Sequence, residues 1–263
     1  MFSNLHTHTT RCRHAFGTER EYIEAAIAQG IRVLGFSDHA PMLFPEGYYS
    51  KRVRMLPEEM DVYVSTLQAL RDEYKNEIRI LIGLELEYYP ELFDRTLKFL
   101  SGYPLDYLIL GQHYLDNEYE APNHTMLGFS ERKYLQRYVD QCIAGMEAGC
   151  FTFLAHPDCF LFKGADRDYE EEMERLCRRA VELDVPLEIN MYGVIKGGHY
   201  PNDRFWEIAS RVGNTVLIGL DAHRTEMLSN LEARAAAYAM AERHGLVPID
   251  LPEIRVPFKT LSV

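Results

Sequence analysis

FSNLHTHTTRCRH, residues 2–14, runs a short apolar segment directly into three histidines. Phe2 to Leu5 reads as a buried strand, His6 and His8 stand just past its end, and His14 follows in the next loop. Side chains alternate along an extended segment, so His6 and His8, on either side of Thr7, project the same way and can hold one ion. The pattern then recurs along the chain. The apolar run Arg32 to Ser37 ends at Asp38 and His39, and Ile80 to Leu84 ends at Glu85. Tyr107 to Leu110 leads to His113, Thr152 to Ala155 to His156, and Thr215 to Leu220 to Asp221 and His223. A seventh run, Pro186 to Asn190, completes the set of predicted strands.

Helical periodicity fills the gaps between these runs. Pro57 to Glu77 carries Met60, Val64, Leu67 and Leu70 on one face. Ser130 is placed to cap a helix bearing Tyr134, Leu135, Tyr138, Val139, Cys142 and Met146 that stops near Gly149. Asp168 opens a further helix with Met173, Leu176, Cys177, Ala180 and Leu183 on its apolar face. Strands alternating with helices predict an α/β fold of parallel strands joined by crossover helices, closed as a barrel. In such barrels the loops leaving the C-terminal strand ends build the active site. The ligand-type residues stand at those ends.

The chain has 263 residues, no Gly/Ser-rich or Pro-rich divider and no internal repeat, so residues 1–263 are read as one domain. Its 47% hydrophobic content is enough for a large core, and no apolar run reaches membrane-spanning length. His6 and His8 interrupt the N-terminus, which does not read as a signal peptide. Five cysteines, at 12, 142, 150, 159 and 177, show no Cys-x-x-Cys spacing, which disfavours a disulfide framework and points to a cytoplasmic setting. The net charge of −12 would repel a nucleic-acid backbone, so no nucleic-acid partner and no membrane partner are expected. A small anionic substrate remains compatible if bound cations supply local positive charge. The oligomeric state is not readable.

Nine candidate ligands, His6, His8, His14, His39, Glu85, His113, His156, Asp221 and His223, exceed what one catalytic ion needs. Two to three divalent ions are implied, and imidazole with carboxylate suits Zn, Mn or Fe without choosing among them. Paired ions that activate water and clamp the oxygens of a displacement make hydrolysis the expected chemistry.

The strings HTHTTRCRH, GFSDHAP, GLELEY, GQHY, AHPD and GLDAH together resemble the motifs of the polymerase-and-histidinol-phosphatase (PHP) superfamily, and most of all its stand-alone histidinol-phosphatases. That resemblance implies a distorted seven-stranded β/α, TIM-like barrel with a trinuclear metal site. It implies that His6, His8, Glu85 and Asp221 hold one ion, that Glu85 bridges to a second held by His113 and His156, and that His14, His39 and His223 hold a third. Glu85 and Asp221 are then the catalytic carboxylates. The activity implied is hydrolysis of a phosphoric monoester, L-histidinol phosphate, in histidine biosynthesis, by attack of a metal-bridging hydroxide. Lys163 after AHPD, and Lys196 and His199 after LEIN, fall where basic phosphate contacts are expected, and Arg11 and Arg224 are further candidates. Lysine supplies a point charge without the fork of arginine.

Alternative readings attach to several of these residues. Glu87 shares a face with Glu85, whose place at the strand end favours it as the ligand. Asp38 is expected to orient a ligand imidazole. His124 and His244 read as surface histidines, Cys12 as a packed loop residue, and the lysines and arginines also as solvated surface. The segments Met42 to Leu56 and Asp116 to Phe129 could cover the site, with tyrosines 48, 49, 114 and 119 able to stack on an aromatic substrate. A phosphatase or phosphodiesterase acting on nucleotides or another small phosphoester is the alternative enzyme. A non-catalytic metal-binding module is the alternative of another class.

Overall fold

The computed structural model describes residues 2–48, 50, 53–120 and 122–258; Tyr49 lies outside them. The elements follow the predicted alternation: β1 (Ser3–Asn4), α1 (Glu19–Ala28), β2 (Val33–Phe36), α2 (Met60–Glu73), β3 (Arg79–Leu86), α3 (Phe93–Leu100), β4 (Tyr107–Leu110), α4 (Arg132–Glu147), α5 (Asp166–Glu182), β5 (Leu187–Asn190), α6 (Met191–Lys196), α7 (Asp203–Val212), β6 (Val216–Gly219) and α8 (Leu231–Arg243). All pairings are parallel, in the order β1-β2-β3-β4 and, separately, β5-β6. Strand β3 is staggered: residues 79–82 pair with β2, and residues 83–86 with β4.

Parallel bridges join the two pieces into one curled sheet. Leu154 bridges both Leu110 and Leu187, and Thr7 bridges Ala222 at the other seam. The predicted strand at 152–155 is therefore present as a backbone connection through Leu154 and not as a regular strand. Near Ile249, which bridges Leu217, the Asp250 carboxylate accepts from Phe2 N at 2.7 Å, so the C-terminal segment wedges between the starts of β6 and β1. Sequence periodicity did not reveal that wedge, because a single bridge has no repeat.

Burial divides the apolar residues by strand face, as pleating requires. Leu5, Leu81, Tyr107, Ile109, Phe153, Ala155 and Leu217 form a small inner core, while the alternate residues Leu108 and Leu110 join the large layer beneath the helices. Tyr107 fills the inner core and donates its hydroxyl to Leu5 O at 2.7 Å. Its ring fits only because positions 35 and 83, in the GFSDHAP and GLELEY strings, lack a Cβ.

Helix ends correct three details. The stretch 57–77 begins with a 3-10 turn, and α2 proper covers Met60–Glu73. Helix α5 starts at Asp166, which places both Asp166 and Asp168 in the first turn, where the helix dipole favours them. Ser130 does not cap α4. Phe129 N donates to Leu161 O and Lys163 N to Phe129 O, which keeps residues before Glu131 extended, and the N-cap falls at Glu131 without a side-chain bond.

All five cysteines are free and buried. Among the described residues no helix is long and apolar enough to cross a membrane.

Candidate metal centre

Strand pairing carries the nine ligand-type residues to one end of the curled sheet. Thr7 N donates to Ser37 Oγ and Thr7 O accepts from Ser37 N, which keeps residues 6–8 extended and turns His6 and His8 to the same side. Four atoms then converge: His6 Nε2, His8 Nε2, Glu85 Oε2 and Asp221 Oδ1. Their residues are almost fully buried, and none of the four atoms has a hydrogen-bond partner. His6 Nε2 lies 3.5 Å from Glu85 Oε2 and 3.4 Å from Asp221 Oδ1, and His8 Nε2 lies 3.4 and 3.1 Å from the same two atoms. Ligand bonds of about 2.0–2.2 Å in a tetrahedron put neighbouring donors roughly 3.3–3.6 Å apart. The four orphaned atoms fit one such ion, and without it their desolvation would go uncompensated.

Glu85 faces two ways. Its Oε1 lies 2.9 Å from His156 Nε2 and 3.7 Å from His113 Nε2, while Oε2 faces His6, His8 and also His39 Nδ1 at 3.0 Å. A third grouping forms where His14 Nε2 meets His223 Nε2 at 3.0 Å. The Nδ1 of His14 donates to Cys12 O at 2.7 Å and that of His223 to Asp221 O at 3.0 Å. With Nδ1 protonated in both rings, two bare lone pairs face each other, an arrangement that calls for a cation between them. His8, His39 and His223 likewise present ring nitrogens to one another.

Charge follows from this geometry. Burial opposes a charge on His6, yet Glu188, Asp221 and Glu85 pull its pKa well above the ordinary imidazole value. Burial opposes the charge on Glu85 too, and the imidazoles of His39, His6 and His113 overcome it, holding the carboxyl well below its usual range. His8 is held low by burial and by its neighbours His223 and His39. The imidazoles thus divide: carboxylates draw charge onto His6, while burial and neighbouring rings keep His8, His14 and His39 neutral.

Around the nine lie residues that orient them. Glu188 takes the Nδ1 proton of His6 at 2.8 Å and accepts from His156 N at 3.1 Å, and Glu87 does the same for His113 at 2.8 Å. Glu87 is thus a brace, while Glu85 points its oxygens into the cluster. Glu188 escaped the sequence reading, although a buried glutamate inside the apolar LEIN strand was the available signal. Asp38 departs from its expected role. Its carboxylate accepts from Thr9 N at 2.8 Å and from the Thr9 hydroxyl, and it stands 4.0 Å from His8 Nδ1, so it chiefly anchors the turn after His8. A Cβ at Gly111 would overlap the Glu85 carboxylate and one at Gly219 the Glu188 carboxylate, which explains the glycines of GQHY and GLDAH. His156 and Asp221 hold positive φ angles of 31° and 48°, strain kept in place by the surrounding pairing.

The cluster forms the floor of a cavity of about 230 Å³ whose rim includes Val53, Arg54, Tyr114, His124, Met126, Tyr192 and Tyr200. The five expected substrate contacts are not part of its lining. Lys163 is exposed and lies over Gly128, Lys196 is exposed over the Tyr192 ring, and Arg224 is exposed over Phe16. Arg11 pairs with Glu19, and His199 Nε2 donates to Cys159 O at 2.7 Å. Chain distance from a motif set their expected places, whereas loop geometry carries them outside. Arg54 does line the cavity, but it is tied to Glu87 at 2.7 Å, to Glu118 and to Ala40 O at 3.1 Å. His124, expected at the surface, lines the cavity as well. His244 pairs with Asp203 at 2.9 Å away from the site.

A "Probable histidinol-phosphatase" of Deinococcus radiodurans is 28% identical over 234 residues, covering 83% of this chain and 85% of its own. The "Histidinol-phosphatase" of Bacillus subtilis is 28% identical over 248 residues, covering 83% and 92%. The fold matches the crystal structure of a histidinol phosphate phosphatase from Lactococcus lactis, solved with zinc, L-histidinol and phosphate, at a TM-score of 0.71 with 19% identity over 94% of this chain and 95% of that one. The PHP domain profile matches residues 4–191, which hold seven of the nine ligand-type positions, so the chain belongs to the PHP domain family.

Proposed function

We propose that this chain is a metal-dependent phosphoric monoester hydrolase acting on L-histidinol phosphate. The observation that carries the hydrolase reading is the convergence of four buried, unpartnered donor atoms from His6, His8, Glu85 and Asp221. The substrate reading is supported by the Deinococcus and Bacillus relatives and by the ligands of the Lactococcus neighbour. Asp221 and His223 lie beyond the profile match and complete the cluster, which supports reading residues 1–263 as one PHP-type metallohydrolase unit.

Two to three divalent ions (Zn, Mn or Fe) fit the three groupings around Glu85, Asp221 and the His14–His223 pair. Such ions supply positive charge for the phosphoryl oxygens and lower the pKa of water, the two demands of phosphoryl transfer to water. The protein's part is orientation. Glu188 and Glu87 hold protons on Nδ1 of His6 and His113 and leave Nε2 lone pairs aimed inward. Glu85 offers one oxygen to each of two groupings. The buried position of these groups excludes bulk water and strengthens every charge interaction within.

A second reading has its own observation. None of the expected basic contacts lines the cavity and Arg54 is already paired, so among the described residues no free lysine or arginine on the cavity wall anchors the phosphate. A different small phosphoester therefore stands as the alternative substrate. Phosphate release from L-histidinol phosphate, set beside nucleotides and sugar phosphates with metal-loaded protein, decides between them. Rapid release confined to histidinol phosphate supports the first reading, preference for another ester selects the second, and no release from any ester overturns both.

A further inference from the structure

His124 differs from the cluster histidines in the direction of its hydrogen bond. His6, His14, His113 and His223 each set Nδ1 against a carboxylate or carbonyl oxygen, which places the proton on Nδ1 and leaves Nε2 bare. His124 Nδ1 instead accepts from Met126 N at 3.1 Å, capping the 3-10 turn Thr125–Leu127. A neutral imidazole carries one proton, so in His124 it sits on Nε2. That nitrogen has no lone pair for a metal, and Nδ1 cannot be protonated without breaking the cap. The ring is neither a ligand nor a general acid but a fixed neutral donor.

Several contacts hold the ring in place. The backbone makes an antiparallel bridge with Tyr114, Thr125 N donates to His113 O at 2.8 Å, and the ring packs edge-to-face on Tyr114 at 4.9 Å. It stands 6.3 Å from the His113 ring and lines the same cavity. Among the described residues, the one lysine or arginine on the cavity wall is Arg54, whose guanidinium is engaged by Glu87, Glu118 and Ala40 O. Among the described residues, an anionic group beside His113 therefore has the His124 ring near it and no free cationic side chain on the cavity wall, and a neutral donor gains most from a charged acceptor.

We infer that His124 is a substrate-binding residue whose Nε2–H donates to a phosphoryl oxygen of the phosphoester. This rests on the phosphoester reading above. The substitutions separate its two hydrogen bonds. His124→Asn keeps a capping acceptor for Met126 N but withdraws the donor, whereas His124→Gln restores a donor at the reach of Nε2 and loses the cap.

The experiment titrates inorganic phosphate into metal-loaded protein by calorimetry, measures KM and kcat for the best ester, and counts bound metal. One hydrogen bond to a charged acceptor corresponds to a loss of roughly 10–100-fold. His124→Asn is expected to weaken phosphate binding and raise KM by about that factor, with kcat falling less and metal content unchanged, and His124→Gln to recover most of the loss. Unchanged phosphate affinity in His124→Asn overturns the inference, and so does a loss of bound metal, which would make the ring a ligand. If the wild-type protein hydrolyses no ester, the functional reading fails by itself, and the phosphate titration still decides the role of His124.

Discussion

The floor of the cavity and its rim are built on different principles. On the floor, the ligand-type residues lie within the paired segments or in the loops that leave them, and four of the seven histidines have a backing partner: Glu188 for His6, Glu87 for His113, backbone carbonyls for His14 and His223. On the rim, Val53, Arg54, Tyr114, His124, Met126, Tyr192 and Tyr200 come from loops and from the short α6. Strand pairing places a residue to within one register step. A loop does not, and this is why lysines expected at the rim stand outside it while a histidine expected outside lines it.

The largest effect should come from the floor. Glu85→Ala, which removes both oxygens of the shared carboxylate, is expected to lose bound metal and to lower kcat/KM roughly a thousandfold or more, as removal of several kcal/mol of charge stabilisation requires. Turnover retained with a full metal complement would remove Glu85 from the bridging role.

Next come the braces. Glu188→Gln should weaken metal affinity by about 10–100-fold in a chelator competition, and Gly219→Ala should follow it because the new methyl displaces the same carboxylate. If Gly219→Ala binds metal as the wild type does, the tight fit against Glu188 is not functional. Metal removal should also register as stability. Free metal at about 100 times its Kd stabilises by about 2.7 kcal/mol, so chelation should lower Tm by roughly 5–10 °C.

Rim changes should be smaller. Alanine at Lys163, Lys196, Arg11 or Arg224 is expected to change KM less than about threefold, in keeping with surface substitutions. A tenfold rise at any one would place that residue against the substrate and narrow the contrast between rim and floor.

The smallest effect lies away from both regions. Burial would raise the Glu172 carboxyl, but hydrogen bonds from Arg132 and Arg175 hold it below the ordinary value of 4.5. A depressed carboxyl stabilises the fold above its ordinary pKa and loses that contribution as pH falls through the depressed one. Glu172→Gln should therefore cost about 1 kcal/mol or less at pH 7, with the gap from wild type closing below pH 4.5. Urea melts at both pH values test the sign, and kcat/KM should not move.

Legibility followed the same division. HTH, GLE, GLD and DAH were readable because a ligand at a strand end sits beside an apolar run with a length and a period. Glu188 was hidden by the opposite circumstance, a charge inside an apolar run that only its bond to His6 explains. The Ser130 cap failed where the bond from Phe129 N to Leu161 O overrode local preference, whereas the segment 152–155 stands where the apolar run put it and is joined to its neighbours through bridges at Leu154.

By itself the sequence determined the alternation of strands and helices, the edge on which the ligand-type residues stand, and the pairing of His6 with His8 on one side of an extended segment. These depend on periodicity and immediate neighbours, which the chain carries locally. Only the tertiary structure decided that Glu188 braces His6 across 182 residues of chain, that Glu87 braces His113, and that His124 lines the cavity with its Nδ1 bound to Met126 N. Each depends on which partner a ring nitrogen or carboxylate oxygen meets, and that partner is distant in sequence or is the backbone of a turn.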